Sequence, residues 1–170
     1  MRVLISALLL VALTGCTHVR STQDVSLSGE GTWLVLPLTN RTATPQAGLR
    51  AAAIVESVLS RHGVQTVDAY PDSDNDGVLF EASSPGSRDK MTQWVSTRNG
   101  NYVVSGVVHE WRYKTGVDGE PAVGVMLEIR ELPSGNIVYS GTGSRAGWAR
   151  DSLSETGQKV IDKLLKPVID

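Results

Sequence analysis

The sequence has a single cysteine and few aromatic residues, and its acidic and basic residues are nearly equal in number. Cys16 is the single cysteine among 170 residues, so no intrachain disulfide can form and no cysteine cluster can hold a metal. Sixteen Lys and Arg against eighteen Asp and Glu leave a net charge of −2, with no basic stretch. A nucleic-acid partner is therefore not expected. No apolar run reaches the roughly 20 residues that a membrane-spanning helix requires.

The N-terminus carries a short apolar run. Met1 and Arg2 precede residues Val3 to Leu13, and Thr14-Gly15-Cys16 follow. A positive start, a short apolar core and a small-residue exit are typical of a secretory signal peptide. The string Leu13-Thr14-Gly15-Cys16 resembles the lipobox of bacterial lipoproteins, in which the cysteine receives diacylglycerol and becomes the new N-terminus. The alternative is an ordinary secreted protein with a cysteine near its cleavage site.

Three segments follow from this interpretation. Residues 1–15 are predicted to be the signal peptide, and residues 16–30 the lipidated Cys16 with a flexible tether, since this stretch is polar and rich in Ser and Thr. Residues 31–170 have the length of one domain with a real core. Thr17, rather than Asp, follows the cysteine, and by resemblance to Gram-negative lipoproteins this indicates an outer-membrane anchor with the body on the periplasmic side.

Hydrophobic periodicity predicts a single α/β (α+β) domain. The run from Trp33 to Leu36 predicts a strand buried on both faces, and residues 64–69 a short second strand. Residues 102–113, 122–131 and 137–140 predict three more strands, and the Gly-rich residues 141–147 a flexible stretch. Helical spacing marks three helices, with apolar stripes at Ala51, Ile54, Val55, Val58 and Leu59, at Met91, Trp94 and Val95, and at Leu153, Val160, Ile161, Leu164 and Leu165.

Residues at the ends of these helices support the assignment. Gly63 follows the first stripe as a helix-terminating residue, and Ser152 with Glu155 matches a capping box at the start of the last helix. The predicted order is β-α-β-α-β-β-β-α in a mixed sheet. If the first two strands are parallel, the crossover between them is right-handed.

One acidic loop resembles half of a calcium site. Asp72, Asp74 and Asp76 alternate before Gly77, as in the first half of an EF-hand loop. Ser83 stands where that loop has its bidentate glutamate, so any calcium affinity would be weak. The alternative is a solvated acidic turn.

Nothing in the sequence points to an enzyme. His18, His62 and His109 share no metal-ligand spacing, and no G-x-S-x-G string is present. No cofactor and no other metal site are predicted.

Trp148 differs from the other three tryptophans. Trp33, Trp94 and Trp111 lie on apolar faces and are predicted to pack in the core. Trp148 lies in a loop between Arg145 and Arg150, a composition found at membrane interfaces and protein contacts. We predict that these three residues contact a membrane or a partner. The alternative is that Trp148 folds back onto the last helix. That helix is amphipathic and is predicted to place one face on the sheet; the alternative is that its polar face, basic apart from Asp162, rests on lipid.

Three stretches carry a family resemblance. They are the strand and loop from Trp33 to Asn40, the helix after residues 44–48, and the sequence from Arg150 to Leu165. Behind a lipobox, they resemble the periplasmic lipoproteins with a TolB N-terminal-like fold, a group that includes CsgG-type and LpoB-type proteins. The short, extension-free chain is most similar to PelC-like lipoproteins of Pel exopolysaccharide export.

The resemblance implies a function. PelC-like proteins are non-enzymatic and assemble as rings on the periplasmic face of the outer membrane, at the entrance of a β-barrel export porin with a TPR partner. The charged ring guides an anionic or cationic polysaccharide in transit, and a loop tryptophan at the place of Trp148 meets the membrane. The alternative is an LpoB-like activator of a penicillin-binding protein, although such proteins usually carry longer tethers.

Overall fold

The computed structural model describes residues 17–21, 25–71, 85–116 and 119–169. Within these ranges the chain forms seven strands and three helices. The strands are β1 (Thr17–Ser21), β2 (Thr32–Val35), β3 (Thr39–Asn40), β4 (Thr66–Ala69), β5 (Tyr102–Tyr113), β6 (Pro121–Glu131) and β7 (Ile137–Ala146). The helices are α1 (Ala47–Arg61), α2 (Pro85–Ser96) and α3 (Leu153–Leu165).

All seven strands belong to one mixed sheet. Its order is β1-β7-β6-β5-β2-β4, with β3 beside β5. Strand β2 runs parallel to both β4 and β5, whereas the pairs β5–β6, β6–β7 and β7–β1 are antiparallel. The predicted α+β domain with a mixed sheet is confirmed, and β1 and β3 are additions to the predicted order.

The main core lies between the sheet and the helices α1 and α3. Trp33 and Trp111 are buried there at 0% and 1% exposure. The predicted apolar stripes of both helices are buried against the sheet, apart from the partly buried Leu153. The alternation along β6 places four side chains in this core, namely Val123, Val125, Leu127 and Ile129.

A smaller core lies on the opposite face, under α2. Leu34 packs there with Met91, Trp94 and Val103, while its neighbours along β2 point into the main core. The prediction that this strand is buried on both faces is therefore confirmed. On this opposite face Thr142 and Ser144 of β7 are exposed.

The ends of α1 and α3 follow the sequence signals. Ser152 Oγ accepts a hydrogen bond from the Glu155 backbone N–H at 3.0 Å, which satisfies one of the free donors of the first turn of α3. Gly63 follows α1 with a φ of 88°, a conformation that costs glycine little.

The prediction of a flexible tether is wrong for residues 17–21. Residues 17–21 form β1, which pairs with residues 141–145 of β7. Val19 packs on the main core, and further along the predicted tether Leu27 is buried and its N–H donates to the Val168 carbonyl at 2.7 Å. Val19 alternates with polar neighbours over only a few residues. Pairing with β7, which is distant in the sequence, stabilises this strand, and local composition does not reveal that partner.

The prediction of a flexible stretch at residues 141–147 is also wrong, because β7 continues to Ala146. A Cβ atom on Gly143 would lie 2.9 Å from Val160 Cγ1, and one on Gly141 would lie 3.0 Å from Leu164 Cδ2. These glycines thus allow α3 to pack closely on the strand. Next to them, Tyr139 Oη donates to the Leu164 carbonyl at 2.8 Å, and burial raises the pKa of Tyr139 to about 12.

Candidate functional site at the anchor end of the sheet

The first residue after the predicted lipidation site is fixed to the sheet. Thr17 faces Arg145 across the β1–β7 ladder, and Arg145 Nη1 donates a hydrogen bond to Thr17 Oγ1 at 2.6 Å. Lys163 Nζ on α3 donates to the Thr17 carbonyl at 3.0 Å. Cys16 itself lies outside the described residues, but it precedes Thr17 directly. Strand β1 begins at one end of the ladder, where β5 and β7 terminate. We call this part of the sheet the anchor end.

The loop with Trp148 leaves this same end. Gly147 N–H donates to the Pro121 carbonyl at 2.8 Å, and Asp151 accepts the Trp148 backbone N–H at 3.1 Å. The loop is therefore pinned to the start of β6 and to the segment before α3. The Trp148 side chain is 47% exposed, so a fixed backbone presents an apolar ring to the outside.

Tyr113 is a second exposed aromatic at the anchor end, and the sequence analysis missed it. It pairs with Pro121 at the end of the β5–β6 ladder and is 51% exposed. Pro121 thus has Tyr113 on one side, in the ladder, and the Trp148 loop on the other. The signal in the sequence was the position of Tyr113, two residues after the buried Trp111 and just before the loop residues Thr115 and Gly116.

The predicted contact residues come together here. Arg145 is half-buried at the end of β7, and Arg150 is exposed in the loop that carries Trp148. Acidic groups are also present near this end, where Asp151 lies 3.8 Å from the Lys159 ammonium and Glu120 lies 3.5 Å from the Lys114 ammonium. The anchor end therefore combines two exposed aromatic rings with mixed charge, the composition that favours a membrane interface or a protein contact.

Solved structures supply the decisive comparison. A PelC dodecamer from Paraburkholderia phytofirmans shares 37% sequence identity with this chain and matches it with a TM-score of 0.75. The match covers 90% of this chain and 98% of that one. The chain belongs to the PelC family. A second crystal form, of a point variant of the same protein and again a dodecamer, matches at 37% identity with a TM-score of 0.74, over 89% and 97% of the two chains.

A more distant match adds no argument. A lipoprotein from Neisseria meningitidis matches at 16% identity over 71% of this chain and 84% of that chain, with a TM-score of 0.48, too low to carry an argument. No protein-family model and no curated protein matches the chain. The PelC-like resemblance inferred from the sequence is thus confirmed by the two dodecamer structures.

Asp72, Asp74 and Asp76 lie outside the described residues, so the calcium interpretation stays a prediction. In the described ranges no group of three or more His, Cys, Asp and Glu could hold a metal ion. In the same ranges, no helix has both the length and the apolar character to cross a membrane.

His62 takes part in an ion-pair cluster between α1 and α3. Its Nε2 and Arg61 Nη2 each lie 2.8 Å from Asp162 Oδ1. Burial raises the pKa of Asp162, but the hydrogen bond with His62 and the charge of Arg61 outweigh it, so the pKa lies below its usual value. The cluster ties the end of α1 to α3.

Proposed function

We propose that this chain is a non-enzymatic lipoprotein of the outer membrane, which assembles as a ring on the periplasmic face and assists export of a Pel-type exopolysaccharide. The observation that carries the proposal is the 37% identity to PelC over 98% of that protein's chain. PelC was solved as a dodecamer, which supports self-association of this chain. Its export partners on this proposal are a β-barrel porin with a TPR segment and the polysaccharide in transit, anionic or cationic.

The anchor end supports a short, stiff attachment. Stable anchoring takes two or more acyl chains, and a lipidated Cys16 supplies them. Because Thr17 already belongs to β1, only one peptide bond separates the lipid-bearing residue from the sheet. The lipid would therefore hold the anchor end against the bilayer, where Trp148 and Tyr113 are exposed. Arg145 and Arg150 would lie at the headgroup level, where cations and aromatic rings are both favoured.

The same geometry argues against the LpoB-like alternative. A flexible tether of fourteen residues reaches only about 20 Å, and an inner-membrane synthase requires a much longer span. Pairing of residues 17–21 with β7 removes even this reach. An attachment without slack suits a protein that works at the membrane surface, as a ring around a porin entrance does.

Deletion and complementation test the function. In a strain that produces the polymer, loss of this gene should abolish polymer at the cell surface while synthesis continues, and the wild-type gene should restore it. Polymer at the surface in undiminished amount would overturn the proposal. A fall in cell-wall cross-linking with normal polymer export would instead favour the LpoB-like alternative.

A further inference from the structure

The loop that leads into α1 runs toward the anchor end. The Arg41 backbone N–H donates to the Val108 carbonyl at 2.9 Å, and Thr44 Oγ1 donates to the Trp111 carbonyl, further along β5. Residues 41–46 therefore follow β5 toward its end before α1 begins. The sequence analysis did not assign this loop to any contact.

Both helices of the main core begin near the anchor end. A Cβ atom on Gly157, early in α3, would lie 3.3 Å from Ile54 Cδ1, midway along α1. Further along both helices, Arg61 Nη2 lies 2.8 Å from Asp162 Oδ1. The two helices therefore run side by side in the same direction. Arg50, in the first turn of α1, lies close to the level of the first turn of α3, which follows directly from the anchor end.

The starts of these two helices differ in charge. At α3, the Ser152 hydroxyl caps the first turn and Glu155 places a carboxylate in it, which suits the positive end of the helix dipole. At α1, Gln46 makes no side-chain cap, the first turn holds no acidic residue, and Arg50 is exposed in it. A cation at this end of a helix is unfavourable unless an anion lies near it. The start of α1 is therefore better suited to an anionic surface than to water.

Three exposed arginines near the anchor end form no salt bridge within the described ranges. They are Arg41, Arg50 and Arg150. Arg112 and Lys114, at the end of β5, each have a carboxylate partner. The three arginines can thus bind an external anion without breaking an internal pair, and they lie at the same end of the sheet as the two exposed aromatic rings.

A bilayer with anionic lipids is the partner that fits this surface. Cys16 directly precedes Thr17 of β1, so a lipid on that cysteine places the anchor end at the headgroups without slack. Exposed aromatic rings are favoured at that depth. A cation held at the surface of an anionic bilayer raises the affinity roughly fivefold.

We propose that residues 41–46 and the start of α1 rest on the bilayer, where Arg41, Arg50 and Arg150 bind the headgroups of anionic phospholipids. The inference rests on the membrane attachment in the proposed function. It adds a second contact segment beside the Trp148 loop and names the lipid class that this surface selects.

A tryptophan placed in the loop reads this contact. Ala43 is exposed there. In the lipidated full-length chain, Ala43→Trp in the Trp148→Phe background should lose fluorescence in vesicles whose acyl chains carry bromine. At equal mole fraction, brominated phosphatidylglycerol should quench more strongly than brominated phosphatidylcholine, with a relative association constant of roughly five for one arginine contact.

Variants with equal loss of charge separate a lipid site from general attraction. Arg41→Gln/Arg50→Gln removes two cations beside the loop and should bring the relative association constant close to one. Lys90→Gln/Lys166→Gln removes two exposed cations, on α2 and just after α3, and should leave it unchanged. An equal loss in both double variants would overturn the assignment to the anchor end.

The remaining outcomes separate the loop contact from the anchor. Quenching of Trp148 in the parent chain, with no quenching of the tryptophan introduced at Ala43, would overturn the loop contact and leave the anchor standing. Equal quenching by the two lipids would overturn the selection of anionic lipid. A response of the introduced tryptophan to soluble alginate, and not to phosphatidylglycerol, would assign the arginines to an anionic polymer instead. Polymer export is measured separately by deletion and complementation, so failure of this inference is distinguishable from failure of the proposed function.

Discussion

Thr17 and Arg145 face each other in the β1–β7 ladder, and the hydrogen bond of 2.6 Å from Arg145 Nη1 to Thr17 Oγ1 closes the pair. Three residues beyond Arg145, Trp148 is exposed. The residue next to the proposed lipid and the proposed membrane-contact loop therefore lie at one end of one sheet. The account of a protein held directly against its membrane depends on this arrangement.

The first prediction concerns the lipid itself. Cys16→Ser should move the protein from the outer-membrane fraction to the soluble periplasmic fraction and abolish polymer export, because each acyl methylene contributes about 0.8 kcal/mol of membrane binding. Fractionation with immunoblotting measures this, and Ser60→Ala on the exposed side of α1 is the control. A Cys16→Ser protein that still fractionates with the outer membrane would refute the anchor.

The second prediction concerns the depth of Trp148. In vesicles whose acyl chains carry bromine, a short-range quencher, the lipidated chain should lose part of its tryptophan fluorescence. Trp148→Phe should remove this quenching, because Trp33, Trp94 and Trp111 are buried in the protein.

The opposite ends of the sheet supply the matched comparison for that experiment. Tyr113 and Ile137 are 51% and 48% exposed, but only Tyr113 lies at the anchor end. In the Trp148→Phe background, Tyr113→Trp should restore quenching and Ile137→Trp should not. Equal quenching of both new tryptophans would contradict the orientation.

The third prediction concerns the contact between α3 and β7. Gly143→Ala should lower the free energy of unfolding by about 1–3 kcal/mol, since the added Cβ would lie 2.9 Å from Val160 Cγ1 and 3.3 Å from Leu164 Cδ1. Thr142→Ala, one residue away and exposed on the opposite face of the sheet, should change it much less. Urea unfolding of both variants in the Cys16→Ser background, at one protein concentration, measures the difference. Equal effects would show that α3 does not pack tightly on this strand.

The fourth prediction concerns pH. The pKa of Asp162 is lower in the folded chain than in the unfolded chain, so its contribution to stability is complete above the unfolded value of about 3.9 and is lost as the pH falls through the folded pKa. Asp162→Asn should therefore reduce stability near neutral pH and flatten its decline in acid. Unfolding midpoints between pH 3 and 7 measure this, with Glu56→Gln as an exposed control on α1. An unchanged acid slope would show that the cluster contributes nothing.

Local patterns predicted the elements whose stability is local or strongly periodic. The apolar stripe from Ala51 to Leu59 predicted α1, and Ser152 predicted the start of α3. The alternation along β6 predicted which of its faces is buried. These features depend on residues within a turn or a strand of one another. The family resemblance at residues 33–40 gave the fold group.

The features that the sequence did not predict depend on distant partners. Residues 17–21 are polar and read as a tether, and only β7 makes them a strand. Gly141 and Gly143 weaken a strand by propensity, and only the close approach of α3 explains them. Tyr113 becomes part of the candidate site because the sheet brings Pro121 and the Trp148 loop beside it.

The native mass of the full-length lipidated chain, extracted in mild detergent, tests the central claim most directly. The account predicts one closed assembly of defined size, a dodecamer by its kinship with PelC, over a wide range of protein concentration. A strict monomer at high concentration, in detergent and on lipid, would contradict it.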